Sequence, residues 1–192
     1  MEYPDIQIAE LKKVRRKQKF TNIEDGLFIG DMFVKFSARD ILEGIECLIP
    51  EEFIDMPEEV QLMKYPSVSR PQRILTSLDS RVNFAFSLLK ESIPEEQMED
   101  LTAQLKELIH KTNPAAVFYR EDAKELFNKK KIYMFNFKSF SVDGQIYHMM
   151  CFTSLNCGML HATFNCPEEF SDDWEEAVWQ AFQTIREKKT KK

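Results

Sequence analysis

The sequence predicts an α+β domain built on one antiparallel β-sheet of about six to seven strands with helices packed on it. Three observations predict this fold. Short segments with apolar residues at every second position occur both before and after residues 92–113. Residues 92–113 and 171–185 carry apolar residues at helical spacing instead. Tight-turn signals separate the last strands, which indicates antiparallel hairpins rather than parallel crossovers.

The first half of the chain predicts strands interrupted by one long loop. The segments LFIGDMFVKF and ILEGIECLIP are predicted strands, and Pro50 ends the second. Residues 51–73 contain three prolines and are predicted to form a proline-rich loop with one helical turn after Pro57, because proline disrupts helices and sheets alike. ILTSL and RVNFAFSLLK are predicted to be the next two strands, joined through Asp79-Ser80.

Capping signals and apolar stripes predict two helices. Ser92 is a predicted N-cap with Glu95 as its capping-box partner, and this helix is expected to end near Asn113-Pro114. Ser171 is predicted to cap the closing helix. The predicted inward residues are Met98, Leu101, Leu105, Leu108 and Ile109 in the first helix, and Trp174, Val178, Ala181, Phe182 and Ile185 in the second.

The segment 131–166 predicts a meander of three strands. Asp143-Gly144 is a strong signal for a two-residue hairpin turn, which would place Phe135 opposite Phe152. A second turn is predicted at Asn156-Cys157-Gly158, with Gly158 in a left-handed conformation, so that Leu155 lies opposite Met159.

Both faces of this meander are predicted to be largely apolar, because side chains alternate between the faces. The first face would hold Tyr133, Phe135, Phe137, Ile146, His148, Met150, Phe152, Leu160, Ala162, Phe164 and Cys166. The second would hold Ile132, Met134, Lys138, Phe140, Tyr147, Met149, Cys151, Leu155, Met159 and His161. Since the two helices can cover one face, the second needs the N-terminal segment, the proline-rich loop or a partner. Methionine and aromatic side chains are typical of adaptable binding surfaces.

Three of the four cysteines lie in the stretch MMCFTSLNCGMLHATFNC. The predicted pleat sends them to two faces and a turn, so they do not converge as a tetrahedral zinc site requires. Two Cys–His pairs remain as candidate nucleophiles, His148 opposite Cys166 and His161 diagonal to Cys151. The alternative is that each cysteine is a small hydrophobic residue in a strand.

Charge and composition narrow the classes of function. Residues 1–20 form a basic amphipathic segment of net charge +3, separate from a single α+β domain at 21–192. The last seven residues, REKKTKK, carry a net charge of +4. Since the whole chain has a net charge of −6, the part between these two basic ends carries −13, which makes a poor nucleic-acid surface. No apolar run is long enough to span a membrane or to form a signal peptide, so a cytoplasmic location is expected. No nucleotide-loop or metal-ligand motif occurs, and no cofactor is predicted.

The pattern from about residue 44 to 187 resembles the PsbP-like superfamily, which includes Ran-binding nucleotide-release proteins. The resembling elements are IECLIPEEFIDMP, a strand that runs into a proline-terminated loop, then paired strands, the central helix, the long meander and a closing helix. The resemblance implies an α/β/α sandwich, which would cover both sheet faces. It also implies a non-enzymatic binding module, as in photosystem subunits, Ran-binding factors and bacterial adaptor chaperones for secreted toxins.

The sequence therefore predicts a non-catalytic protein-binding module, such as a bacterial adaptor, chaperone or toxin-immunity protein, whose partner is another protein or a second copy of itself. Two alternatives stay open: a hydrolase-type enzyme with a Cys–His pair, and a structural subunit that closes a homodimer through the second face. The predicted contact residues lie on the second face and in the proline-rich loop. They are Met134, Phe140, Tyr147, Met149, Met159, Tyr65, Arg70 and Arg73.

Overall fold

The computed structural model describes residues 18–91, 93–126, 130–141 and 144–188. The basic segment 1–20 lies outside these residues except for its last three. No helix in the described part of the chain is long and apolar enough to cross a membrane.

The elements follow one another as the sequence predicts, with additional short strands at both ends. The strands are β1 (Leu27–Ile29), β2 (Met32–Val34), β3 (Phe36–Leu42), β4 (Ile45–Pro50), β5 (Ile54–Asp55), β6 (Arg73–Thr76), β7 (Asn83–Leu89), β8 (Val117–Glu125), β9 (Lys131–Ser141), β10 (Gly144–Leu155), β11 (Gly158–Pro167) and β12 (Arg186–Glu187). The α-helices are α1 (Glu58–Lys64), α2 (Glu95–Thr112) and α3 (Ser171–Gln183). Short 3-10 helices lie at Ile23–Asp25 and Glu168–Phe170.

One seven-stranded antiparallel sheet dominates the fold, in the order β5-β6-β7-β11-β10-β9-β8. This confirms the predicted α+β class and sheet size. The three strands β12-β4-β3 and the small β1–β2 hairpin form two separate sheets, whose strands are not paired with those of the large sheet. The edge strand β8 pairs with β9 alone, so one side of it faces outward.

Helix α3 and the three-stranded sheet together cover one face of the large sheet, named here the α3 face. All five inward residues predicted for the closing helix are buried. They join one continuous core with Ile41, Ile45 and Ile49 of the three-stranded sheet and with the apolar side chains of β7, β10 and β11. Each large apolar side chain buried in this way contributes about 1.5–3 kcal/mol relative to an exposed one.

The opposite face, named here the α2 face, is covered more thinly. Helix α2 lies over β9 and β10, yet Met98 is its only fully buried residue. Helix α1, inside the segment predicted as a loop, adds a small cluster over β6 and β7. Helix α2 begins at Glu95 with Pro94 in the N-cap position, and the Glu95 carboxylate accepts the backbone N–H of Lys131 at 3.0 Å. Ser92 lies outside the described residues. The molecule is thus layered on both faces, as the family resemblance implied.

The register between β9 and β10 differs from the prediction by two residues. Phe135 pairs with Met150 rather than with Phe152, because Ser141 and Gly144 close the hairpin. A shift of two residues keeps every side chain on its predicted face. The face assignments of β9 and β10 are therefore confirmed, although the paired residues change.

The register between β10 and β11 differs by one residue, and that difference has large consequences. Leu155 pairs with Gly158, so the turn has two residues instead of three. A shift of one residue sends every side chain of β11 to the opposite face. Leu160, Ala162, Phe164 and Cys166 consequently lie on the α3 face.

Contacts remote in sequence hold this turn. The Glu187 carboxylate accepts the backbone N–H groups of Asn156 at 2.9 Å and of Cys157 at 3.2 Å. Gly158 has φ +140°, and a Cβ atom there would overlap the carbonyl oxygen of Leu89 on β7. Glycine is therefore needed for the close approach of β7 and β11.

We expect Gly158→Ala to lower the free energy of unfolding by about 2 kcal/mol or more, because it combines an unfavourable backbone conformation with an overlap against Leu89. Chemical denaturation followed by far-ultraviolet circular dichroism measures this loss. The matched control is Gly44→Ala, since Gly44 also has a positive φ but an added Cβ meets nothing within 4 Å. Its cost should be about 1 kcal/mol. Equal losses in the two variants would contradict the proposed role of the Leu89 contact.

Candidate binding surface

Four of the predicted contact residues are buried and offer no surface to a partner. Met134, Tyr147 and Met149 lie on the α3 face and are at most 1% exposed. The chain itself covers this face, as one of the predicted alternatives had it: Ile23, Leu27 and Ile29 near the N-terminus and Phe53 of the proline-rich loop join α3 and the three-stranded sheet in the cover, so no partner is needed there. Met159 was assigned to the wrong face, since the register of β11 places it under α2.

The two predicted Cys–His pairs do not form. His148 lies opposite Asn165, while Cys166 lies opposite Tyr147 and points to the α3 face. His161 lies opposite Phe152, on the α2 face, and Cys151 lies opposite Ala162 on the α3 face. Each histidine is thus separated from its predicted cysteine by the thickness of the sheet.

The buried thiols are poorly suited to nucleophilic chemistry. Burial raises the pKa of Cys47 and of Cys166 to about 12, and raises the pKa of Cys151 as well. Since the thiolate is the reactive form, these three groups are unreactive at neutral pH. Cys157, at the turn, is the exposed cysteine. Among the described residues, no group of three or more His, Cys, Asp or Glu side chains is arranged to hold a metal ion.

The two strand histidines pack as aromatic residues. His148 stacks on Phe137 with ring centres 4.8 Å apart, and His161 stacks on Phe152 at 4.6 Å. A hydroxyl group lies near the Nε2 atom of each ring, that of Ser139 at 2.8 Å and that of Thr163 at 3.0 Å. Burial lowers the pKa of each histidine to about 4, so both rings are neutral at pH 7.

A buried asparagine orders the outer edge of the sheet. Asn136 donates to the Tyr147 hydroxyl at 2.8 Å and to the Glu175 carboxylate at 3.1 Å, and it accepts the backbone N–H of Arg120 at 2.7 Å. The last contact fixes an irregularity in β8 between Phe118 and Glu121. The Arg120 guanidinium then lies 4.3 Å from the centre of the Trp179 ring on α3.

An exposed patch lies where the cover from α3 ends, at the outer corner of β8 and β9. We name Val117, Tyr119, Lys138 and Phe140 the β8–β9 patch. Val117 is 42% exposed, Tyr119 51% and Phe140 49%. Val117 pairs with Lys138, whose ammonium lies 5.9 Å from the Phe140 ring centre and 3.9 Å from the Glu168 carboxylate. The Tyr119 hydroxyl donates to that same carboxylate at 3.0 Å.

On the opposite face of the same strand, α2 and β8 enclose a half-open cleft of about 720 Å³. Its floor is aromatic, from Phe118, Tyr133 and Phe135, and its rim is charged. The Lys106 ammonium of α2 bridges the mouth to the Glu121 carboxylate of β8. A cavity of this size is typical of ligand sites in proteins.

The predicted contact residues of the proline-rich loop have separate environments. Tyr65 packs under α1 and its hydroxyl accepts from Asn165 at 2.9 Å, while burial raises its pKa. Arg73 forms a bidentate pair with Asp55, at 2.7 and 3.0 Å. Arg70 is exposed. These residues are remote from β8 across the sheet, and their role in binding stays a prediction.

The surface around β8 contains residues that sequence reasoning did not single out. The sequence correctly predicts a strand at AVFYRE. The irregularity in this strand, however, turns both Tyr119 and Arg120 toward the α3 side. No local signal marks that irregularity, because Asn136 creates it from the neighbouring strand. Phe140 is the one predicted second-face contact that the structure leaves exposed.

No protein-family model and no curated protein matches the sequence. Solved structures do match in shape. Cyanobacterial PsbP (CyanoP) from Synechocystis sp. PCC 6803 is 13% identical over 80% of this chain and 92% of that chain, with a TM-score of 0.56. The chain has a PsbP-like fold. LpqN, involved in cell envelope biogenesis of Mycobacterium tuberculosis, is 11% identical over 84% of this chain and 95% of that chain, with a TM-score of 0.52. The PsbP-like fold is what these likenesses establish.

We expect one thiol of the native protein to react with iodoacetamide near pH 8, and four after denaturation. Cys157 is exposed, whereas burial protects the other three and raises their pKa values. Mass spectrometry of the intact protein counts the adducts, and Cys157→Ser should reduce the native count to zero. Rapid native labelling of Cys166 would revive the nucleophile hypothesis.

The free energy of unfolding should fall as the pH is lowered from about 6.5 to about 4. Both histidines have folded-state pKa values of about 4, below the ordinary value of 6.5, so the unfolded chain binds more protons in this window. Stability is fully present above pH 6.5 and decreases by on the order of 2–3 kcal/mol per histidine toward pH 4. Urea unfolding across this range measures the slope. The control is a variant with both His148→Gln and His161→Gln, whose slope should be clearly flatter; an unchanged slope would contradict the assignment.

Proposed function

We propose that this protein is a non-catalytic protein-binding module whose contact surface is the outer edge of the large sheet at β8. The observation that carries the proposal is the β8–β9 patch, in which three large apolar side chains are each between 42% and 51% exposed. Aromatic residues grouped in this way are typical of the centres of protein interfaces. An adaptor, chaperone or immunity protein would use such a surface.

The construction of the edge supports contact through side chains rather than through added strands. Strand β8 is irregular, and it carries Arg120, Glu121, Asp122 and Lys124 on its exposed length. Irregular and charged edge strands resist pairing with a further strand. A partner would therefore meet the aromatic rings of the patch on one face and the cleft beside α2 on the other.

The polar groups beside the patch support a specific contact. Glu168 has one buried carboxylate oxygen with no hydrogen-bond partner among the described residues, while its other oxygen accepts from Tyr119. Lys138 lies beyond hydrogen-bond distance of this carboxylate. Polar groups beside exposed aromatic rings give an interface its orientation, because a misplaced partner leaves them unpaired.

The two alternative functions gain less support. The enzyme hypothesis rested on Cys–His pairs that lie on opposite faces of the sheet. The homodimer hypothesis rested on a second face that is now buried, so self-association would have to use another surface. The proposed contact surface is therefore the sheet edge at β8, rather than the Cys–His pairs or the second face of the meander.

We expect Tyr119→Ala combined with Phe140→Ser to abolish capture of the physiological partner, because the two changes remove both aromatic contacts of the patch. Affinity capture from source-cell extract, quantified by mass spectrometry, compares this variant with the wild type. Loss of two interface aromatic residues typically weakens binding by about a hundredfold or more.

The matched control is Leu78→Ser, since Leu78 is 76% exposed in the turn between β6 and β7, and three strands separate β7 from β8 in the sheet. A genuine partner is retained by the wild type and by the control but lost by the patch variant. Thermal unfolding of all three proteins verifies that the fold is kept. A protein captured equally by all three would contradict the proposed surface.

A further inference from the structure

The cleft between α2 and β8 contains a cation of the protein itself, which indicates the ligand chemistry that the cleft favours. The Lys106 ammonium lies 5.4 Å from the centre of the Phe118 ring and pairs with the Glu121 carboxylate. Both partners are partly exposed, with Lys106 35% and Glu121 66% accessible. An ammonium held between an aromatic face and a carboxylate is stabilised by both interactions. A cationic group of a ligand that displaced Lys106 would contact the same aromatic ring and the same carboxylate.

The remainder of the cleft is suited to an apolar chain. Tyr133 and Phe135 continue the aromatic floor beyond Phe118, and Ala103 of α2 and Ala123 of β8 line it with small side chains. These alanines leave the space of about 720 Å³ above the rings unfilled. Phe118 is half-buried, whereas Tyr133 and Phe135 beside it are buried. An apolar side chain of a partner would therefore cover the exposed part of the Phe118 ring without displacing any part of the core.

The charge of the rim favours a cationic occupant. The carboxylates at the cleft are Glu99, Glu107 and Glu121, against the two lysines Lys106 and Lys131. Burial raises the pKa of the nearby Tyr133, and the negative charges of Glu95 and Glu99 raise it further. Helix α2 begins with further acids at Glu96 and Asp100, so the approach to the cleft is acidic as well.

We propose that the α2–β8 cleft binds an apolar segment of a partner protein that carries lysine or arginine side chains. The apolar residues of the segment lie on the rings of Phe118 and Phe135. One of its cations takes the place of Lys106 between Phe118 and Glu121. This inference rests on the proposed function, for which it names the chemistry of the partner.

Because the cation of the ligand must displace Lys106, substitutions of Lys106 and of Glu121 should change the affinity for that ligand in opposite directions. Lys106→Ala removes the competing cation, so a cationic ligand should bind more tightly to this variant than to the wild type. Glu121→Gln removes the carboxylate, so the same ligand should bind less tightly. Each change should alter the dissociation constant by about twofold to fivefold, the range of one exposed ion pair or cation–π contact.

The experiment measures fluorescence anisotropy with dansyl-labelled octapeptides of alternating leucine and lysine. Matched peptides replace lysine by glutamate or by glutamine, which separates charge from apolar contact. Lys90→Ala and Glu52→Gln are the control variants, because they change the net charge equally at exposed positions outside the cleft. We expect binding of the lysine peptide, with opposite changes for the two cleft variants and none for the controls.

Three results would overturn the proposal: equal affinity for the lysine and glutamate peptides, equal effects of cleft and control variants, or competition by phenethylammonium as strong as that by the peptide. The last would assign the cleft to small organic cations. Ala103→Trp, which fills the cleft from an exposed helix position, should abolish peptide binding. If it leaves capture of a β8–β9 patch partner intact, the cleft inference fails while the proposed function stands.

Discussion

The pairing of β10 with β11 through a two-residue turn is the constraint on which the rest of the structure depends. Gly158 allows β11 to approach the backbone of β7, and Glu187 holds the turn by accepting two of its N–H groups. A turn one residue longer would exchange the two faces of β11. The positions of Leu160, Ala162, Phe164 and Cys166 on the α3 face, and of Met159 under α2, follow from this register.

That register also explains why neither Cys151 nor Cys166 pairs with a histidine. It places Cys166 beside Tyr147 and Cys151 beside Ala162, in the interior that α3 and the three-stranded sheet close. The histidines go to the opposite face, where each stacks on a phenylalanine. The sheet therefore separates each histidine from the cysteine with which it was predicted to pair. The exposed aromatic side chains on which the proposed function rests lie instead at the edge of the sheet, on β8 and β9.

At that edge, one buried side chain links the core to the surface. Asn136 takes part in hydrogen bonds to Tyr147, Glu175 and the backbone of Arg120. A buried amide that is fully hydrogen-bonded fixes the geometry of its neighbours, because any displacement leaves a polar group unpaired. Strand β8 therefore presents Tyr119 to one face and Phe118 to the other from a rigid support. The β8–β9 patch and the α2–β8 cleft lie on opposite faces, and the position of both depends on the strand that Asn136 holds in place.

The sequence by itself determined the kinds of elements, their order and the α+β class, because helix and strand periodicities are local properties of the chain. It also identified the inward face of α3 and the positions of Met134, Tyr147 and Met149 on one common face. Only the tertiary structure decided what covers that face, which way β11 points and where β8 bends. These depend on Glu187, Leu89 and Asn136, which act on segments remote from themselves in sequence. A difference of one residue in a turn leaves almost no local trace, yet it moves every side chain of β11 to the other face of the sheet.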